Sequence, residues 1–337
     1  MAGVTFFKQL PPAAVVPLPS MHNIMTSQTI LISGGTGMVG TALTSHLVSS
    51  GHKVIILTRH PAKARPKAAW AGQVSYAAWD VKAGTIDMDA VAQADALVHL
   101  AGAGVVDRPW TDAYKKEIRD SRVNSSALLV KAIGEVGGKL HTVVSASAIG
   151  WYGEDGPGQQ TPFTEDAPAA PGFLGDTCRA WEESIQPVTT LGKRLVICRI
   201  GIVLSNEGGA LPEFKRPLMF RVAGVLGSGR QVVSWVHITD LCRIFTFAIE
   251  NNAMNGVYNA VAPLPVTNRA LTLALARQMY GKAFITLPVP VFVLKLMLGA
   301  RSIEVLKSTT VSAEKLLNAG FDISYPNIED ALAELVG

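Results

Sequence analysis

The sequence predicts an α/β chain: a doubly wound parallel sheet followed by a smaller, mostly helical C-terminal part. Three observations predict it. From Thr29 onward, short and almost wholly apolar runs alternate with stretches of helical period. A glycine-rich string follows the first apolar run, and beyond about residue 265 helical patterning takes over. A strand buried on both faces of a parallel sheet must be apolar throughout, whereas a half-exposed strand alternates. Parallel neighbours also need a helix to carry the chain back, with a right-handed crossover.

The elements follow in order. Residues 1–28 hold four prolines and one lysine, without the charged start and apolar core of a signal peptide, and read as a loose extension in which Met25 is an alternative start. The strands expected are TILIS (29–33), KVIILT (53–58), QVSYAAW (73–79), ALVHLA (96–101), TVVSA (142–146) and RLVICRI (194–200). Helices are expected near 38–50, 112–136 and 174–190, and again in HITDLCRIFTFAIEN (237–251). The first domain then spans 29–205, completed by parts of 231–262, and 206–337 supplies substrate-side segments and a helical subdomain. The apolar run VPVFVLKLMLGA (289–300) carries Lys295 and is too short to span a bilayer, so it is expected to be an amphipathic helix buried in that subdomain.

Composition narrows the class. Apolar residues make up 48% and charged residues 17%, which excludes a disordered chain. The surplus of 30 basic over 26 acidic residues is spread along the chain and gives no footprint for nucleic acid. No membrane segment is expected, and the localisation expected is cytoplasmic. Cys178, Cys198 and Cys242 have neither CxxC spacing nor histidines at metal-ligand intervals, so they read as reduced core thiols and no metal is expected.

The strongest motif is SGGTGMVG (33–40), at the first strand-to-helix junction. Gly34, Gly37 and Gly40 fit GxxGxxG, and Gly35, Gly37 and Gly40 fit GxGxxG; a tight turn, close approach of the backbone to a pyrophosphate, and helix-on-strand packing each need a missing Cβ. The fold is therefore Rossmann-like, with Gly34, Thr36, Gly37, Met38, Val39 and Gly40 cradling the phosphates of a dinucleotide at a helix N-terminus. At the end of the second strand, where an NAD site offers a carboxylate to the ribose, the chain reads LTRHP. Arg59 suits a 2′-phosphate, which favours NADP(H) over NAD, against the plainer alternative of a solvated loop arginine. Asp80 is placed to accept from the adenine amino group or to be a surface residue, and Leu100, Ala101 and Gly102 of HLAGAG to lie along the cofactor at the switch point.

These strings, with RPWTDAYKKEIRDSRVNSS, SASAIGWYG, CRAWE, RIGIVLSNEGGALP, LGSGRQVVSWVHITDL and GVYNAVAP, resemble the extended short-chain dehydrogenase/reductases over nearly all of 29–335, and within them the NAD-dependent, nucleoside-diphosphate-sugar-epimerase-like group. The resemblance implies a Rossmann-like NADP(H)-binding domain, a smaller substrate domain and, for some members, a link to cell division. It places Ser147 at the position of the hydroxyl that bonds the reacting oxygen, and Asn124 at that of an asparagine that shapes the central helix and holds a water. It also exposes a departure: Leu174 and Cys178, or one residue on Gly175 and Arg179, stand where the Tyr and Lys of the Tyr-x-x-x-Lys pair belong. Tyr152, five residues past Ser147, is the phenol nearest to substituting, with a packing aromatic as the alternative.

Arg108, Trp110 and Arg122 are either an anion site or a salt-bridged surface. His237 and Asp240 read as a helix entry, and Asn259 of GVYNAVAP as ending a strand, a turn residue near the cleft. The expectation is an NADP(H)-dependent epimerase-like or oxidoreductase enzyme on a polar, anionic or sugar-nucleotide small molecule, with a homodimer built through the helices at 112–136 and 174–190. The competing expectation, from the missing pair, is a non-catalytic NADP(H)-binding sensor or division-associated protein.

Overall fold

The computed structural model describes residues 27–336; residues 1–26, including nearly all of the expected extension and Met25, lie outside the described residues. Strands β1 (Thr29–Ser33), β2 (Lys53–Thr58), β3 (Val74–Asp80), β4 (Thr85–Ile86), β5 (Ala96–His99), β6 (Thr142–Ala148) and β7 (Arg194–Ile200) form the bulk of the main sheet. Strands β8 (Ile202–Ser205) to β12 (Trp235–His237) are short and lie apart, and β13 (Gly256–Ala260) returns to the main sheet beside β7. The order β13-β7-β6-β5-β1-β2-β3-β4 reverses direction at β1, and every pair except the β3–β4 hairpin is parallel.

The uniform apolarity of the runs is explained by what covers them. Helices α1 (Met38–Ser49) and α6 (Ile238–Glu250) pack one face, joining Leu43, Leu47, Phe245 and Ile249 to Ile30, Ile32, Val144 and Val196. On the other face, α2 (Met88–Gln93), α3 (Asp112–Val136) and α4 (Phe173–Ile185) bring Val91, Leu129, Ile133 and Ile185 to Leu31, Leu97, Val143 and Leu195. The expected boundaries of β1, β2, β7 and α3 hold to the residue. The strand expected to end at Ala101 stops at His99, and α4 ends at Ile185 in a 3-10 turn instead of running to 190, because Pro187 follows.

The rest of the chain folds over the C-terminal edge of the sheet. Helices α5 (Leu211–Leu218), α7 (Asn268–Tyr280) and α11 (Ile328–Val336) share a core with Trp235. One expectation fails here. The apolar run forms a helix, α8 (Val291–Leu298), but only Leu294 is buried; Phe292, Leu296 and Met297 are 71%, 84% and 70% exposed. Helical period could place the run on a helix without showing that its apolar residues go all the way round, leaving a face with nothing against it. The short helices α9 (Ser302–Leu306) and α10 (Glu314–Asn318) lead from it to α11. No helix among the described residues is long and apolar enough to cross a membrane.

Candidate functional site

At the switch point, the glycine loop is built by contact with the next strand's end. Gly34 takes φ +75° and lies so close to the loop after β5 that a Cβ there would come within 2.8 Å of the Leu100 carbonyl carbon and 2.9 Å of the Ala101 nitrogen. A Cβ on Gly40 would overlap the Gly34 carbonyl oxygen and Gly35 Cα. Gly37 is different: its Cβ would meet only the Gly34 oxygen, at 3.4 Å, and the residue is exposed. Protein packing thus explains Gly34 and Gly40, while the space at Gly37 opens to the cleft. Gly37 caps α1 without any side-chain hydrogen bond, so the amides of the first turn and the positive end of the helix dipole face that space. A pyrophosphate fits this cradle, which offers backbone N–H groups and no competing carboxylate cap.

Arg59 lies one residue past β2, exposed and without an ion-pair partner among the described residues. Asp80 ends β3 and is half-buried; its Oδ1 accepts from the Lys82 and Ala83 amides at 2.8 and 3.1 Å, which fixes the turn into β4. Its second oxygen has no hydrogen-bond partner among the described residues.

Beneath the Leu100–Gly102 loop, fully buried His99 ties three elements together. Nδ1 is 2.6 Å from Ser33 Oγ on β1, and Nε2 is 3.1 Å from Ser126 Oγ on α3. Burial, with the nearby Arg122 charge, pulls its pKa down to about 3, so the ring is neutral. The loop itself is held from α3: the Ala103 amide donates to Ser121 Oγ at 2.9 Å, and Arg122 Nη1 donates to the Ala103 oxygen at 2.9 Å. Asn124 does not join this group. It lies exposed on α3, and Ser121, one turn earlier, holds the position facing the cleft. Arg108 pairs with Glu117 at 2.9 Å on the surface, and Trp110 Nε1 donates to the Val105 oxygen, so both build the loop.

Ser147 and Tyr152 meet in one buried network. Ser147 Oγ donates to Glu182 Oε1 at 2.6 Å. Glu182 receives the Arg199 guanidinium two-pronged, Nε to Oε1 at 2.9 Å and Nη2 to Oε2 at 3.0 Å. Arg199 Nη1 donates to Tyr152 Oη at 3.0 Å, and that hydroxyl donates to Asn259 Oδ1 at 2.6 Å. The guanidinium also covers the Trp151 ring, 3.6 Å from its centroid. Tyr152 is 3% exposed, and burial raises its pKa despite Arg199. Expected as a substitute proton donor, Tyr152 is instead a core residue whose hydroxyl is saturated and whose pKa moves away from the activated range. Asn259 lies at the end of a strand as expected, the last residue but one of β13, but it is fully buried and not a turn residue.

On α4, Cys178 Sγ lies 3.6 Å from the Ala148 oxygen, and its pKa is pushed up to about 11 by burial and the Glu182 charge. Leu174 packs at Gly150, as seen from the 3.4 Å that a Gly150 Cβ would leave to it. Neither supplies proton transfer. His237 caps α6 by accepting from the Thr239 amide at 3.2 Å, the helix entry expected of it. Two functional-looking residues, Glu182 and Arg199, were not singled out by sequence; CRAWE and RLVICRI contain them, but nothing in either string says that a helix glutamate and a strand arginine 17 residues apart will pair.

Comparison with known proteins gives the family and the fold. The profile of the NAD dependent epimerase/dehydratase family matches residues 30–174, and that of a domain of unknown function, DUF1731, matches residues 289–335. An epimerase family protein of Staphylococcus aureus (strain MRSA252) is 36% identical over 307 residues, covering 91% of this chain and 98% of its own. The epimerase family protein YfhF of Bacillus subtilis (strain 168) is 33% identical over 308 residues, covering 91% and 97%. Among solved structures, the human epimerase family protein SDR39U1 (isoform 2), crystallised with NADPH, superposes with a TM-score of 0.78 at 30% identity, covering 91% of this chain and 99% of that one.

Proposed function

Because the chain belongs to the NAD-dependent epimerase/dehydratase family, we propose that it binds NADP(H) across the switch point and exchanges hydride with a polar or anionic small molecule, a sugar nucleotide being one such class. The observation that carries this is the uncapped α1 N-terminus beneath the open side of Gly37. Arg59, exposed and free of a carboxylate partner among the described residues, would take the 2′-phosphate, and the human relative crystallised with NADPH supports the choice of the phosphorylated form. Bound there, the nicotinamide supplies the hydride chemistry, and the chain supplies orientation and electrostatics.

A second reading, a non-catalytic NADP(H)-binding protein, is favoured by one observation. Ser147 spends its proton on Glu182, so it donates to a substrate oxygen only if that bond is given up, and neither Tyr152 nor Cys178 supplies a proton donor in its place.

Thermal unfolding with NADPH, NADP, NADH and NAD, in the wild type and Arg59→Ala, tests the binding. A ligand at 100 times its Kd adds about 2.7 kcal/mol to the folded state. Stabilisation by the phosphorylated forms alone, lost with Arg59→Ala, is expected; no stabilisation by any of the four refutes the cofactor. Turnover with a substrate panel then separates the two readings, since an enzyme loses turnover in Ser147→Ala while keeping cofactor affinity.

A further inference from the structure

Three arginines pack against the sheet-and-helix body, Arg199 buried and Arg122 and Arg194 half-buried, and two of them are fully accounted for. Arg199 is neutralised by Glu182, and Arg194 spends Nη1 and Nη2 on four acceptors, the oxygens of Ala248, Ile249 and Met254 and Thr142 Oγ1. Arg122 is not. Only its Nη1 is used, on the carbonyls of Ala103 and Ile118, both at 2.9 Å. Among the described residues no carboxylate lies within ion-pair distance, and Nε and Nη2 have no acceptor. The groups around it are the Trp181 ring at 4.8 Å, Tyr114 on its own helix, the Cys178 thiol on α4 and neutral His99 on β5. None carries a negative charge that would balance a guanidinium whose pKa burial already pulls down.

Its position gives the imbalance meaning. The guanidinium sits directly under exposed Gly102, where a Cβ would come within 3.0 Å of Cζ and 3.1 Å of Nη1. Gly102 continues the Leu100–Ala101 backbone against which Gly34 of the phosphate cradle packs. The neighbouring Trp181 indole N–H is buried and also lacks an acceptor. This seam of α3 and α4 therefore holds an excess of donors and a net positive charge at the floor of the cleft. The half-buried guanidinium lies over the Trp181 ring, and its accessible Nε and Nη2 have no protein acceptor, so its planar fork is free to take two oxygens of a carboxylate or phosphate.

We propose that Arg122 is the anion-binding residue of the cleft, offering Nε and Nη2 to two oxygens of a phosphate or carboxylate carried by the bound small molecule above Gly102. The assignment rests on the cleft being the NADP(H) site proposed above. The oxygens come either from the cofactor's pyrophosphate or from the substrate, and calorimetric titration distinguishes the two. Wild type, Arg122→Met and Arg122→Lys are titrated with NADPH, with 2′,5′-ADP, with inorganic pyrophosphate, and with malonate added to the NADPH-saturated protein.

If the anion is the pyrophosphate, Arg122→Met weakens NADPH and inorganic pyrophosphate at least tenfold and leaves 2′,5′-ADP within twofold. If it belongs to the substrate, NADPH is unchanged and malonate binding to the complex falls at least tenfold. In either case Arg122→Lys recovers part of the affinity, because it restores the charge without the fork. Affinities within twofold of wild type for all probes in both variants overturn the proposal, and should Arg122→Met fail to fold, the Lys variant alone decides, with a loss of less than twofold overturning it. If wild type binds no NADPH, the cofactor reading falls by itself, and binding of inorganic pyrophosphate or malonate to the free protein then tests Arg122: loss in the variants upholds it, and no binding to wild type refutes it.

Discussion

Acidifying the protein from pH 7 to pH 5 should destabilise it measurably through His99 alone. Its ring stays neutral in the fold down to about pH 3, against an ordinary value of 6.5, because burial removes the water that would solvate the imidazolium and Arg122 repels the charge. Unfolding restores the ordinary value. Below pH 6.5 the unfolded chain therefore binds a proton that the folded chain refuses, so this contribution is intact above pH 6.5 and is lost progressively as pH falls toward 3. One proton is worth about 1.4 kcal/mol per pH unit, and the span from 6.5 down to 5 amounts to about 2 kcal/mol. Burial also lowers His46 and His237, so the wild type will lose more than this in total. The His99 share is isolated by urea unfolding of wild type and His99→Gln at pH 7 and pH 5. The amide introduced by that substitution titrates nowhere in this range, so the variant, less stable at pH 7 for want of the Ser33 and Ser126 bonds, should close the gap by about 2 kcal/mol at pH 5. Parallel losses in the two proteins would refute the reasoning, because they would mean that His99 is protonated in the fold.

The two outer glycines of the loop and the middle one should fail differently. Gly40→Ala drives a methyl into the Gly34 carbonyl and should cost about 1–3 kcal/mol or more in urea unfolding. Gly37→Ala should unfold close to wild type and lose thermal stabilisation by NADPH; full retention of that stabilisation would move the phosphates elsewhere. Glu182→Ala leaves Arg199 buried without its partner and should cost about 3–5 kcal/mol, whereas Ser147→Ala, removing one hydrogen bond, should cost about 1 kcal/mol. Similar costs for the two would show that Glu182 does not carry the network. Burial pushes Cys178 to about 11 and Cys198 and Cys242 to about 12, so iodoacetamide at pH 8 should label none of them in the native protein and all of them in urea, as read by mass.

The central strands β1, β2, β5, β6 and β7 were legible because each is short, almost wholly apolar and punctuated by turn residues; a run such as KVIILT permits little else. The phosphate cradle was legible for a related reason, since the close approaches at Gly34 and Gly40 can be met by one residue type. Chemistry at the far side of the cleft was not. Tyr152 looked free in a glycine-flanked loop, yet Arg199 and Asn259, 47 and 107 residues away, occupy its hydroxyl. Asn124 and Ser121 lie within one turn of the same helix, and only the angle of α3 to the Ala103 loop decides which faces inward. The bare face of α8 depended on what did not pack against it, which no local pattern records.

The sheet's last strand has a consequence for how the protein is made. β13 completes the main sheet beside β7, but residues 201–255 are synthesised between them. At about 5–20 residues per second, a ribosome leaves the open edge of β7 without its neighbour for several seconds. During that interval the amides and carbonyls of Arg194–Ile200 on that side face whatever strand is nearest, including the same edge on an adjacent nascent chain. The interruption that lets residues 201–255 form their own elements thus also leaves this edge open to mispairing while the polypeptide grows.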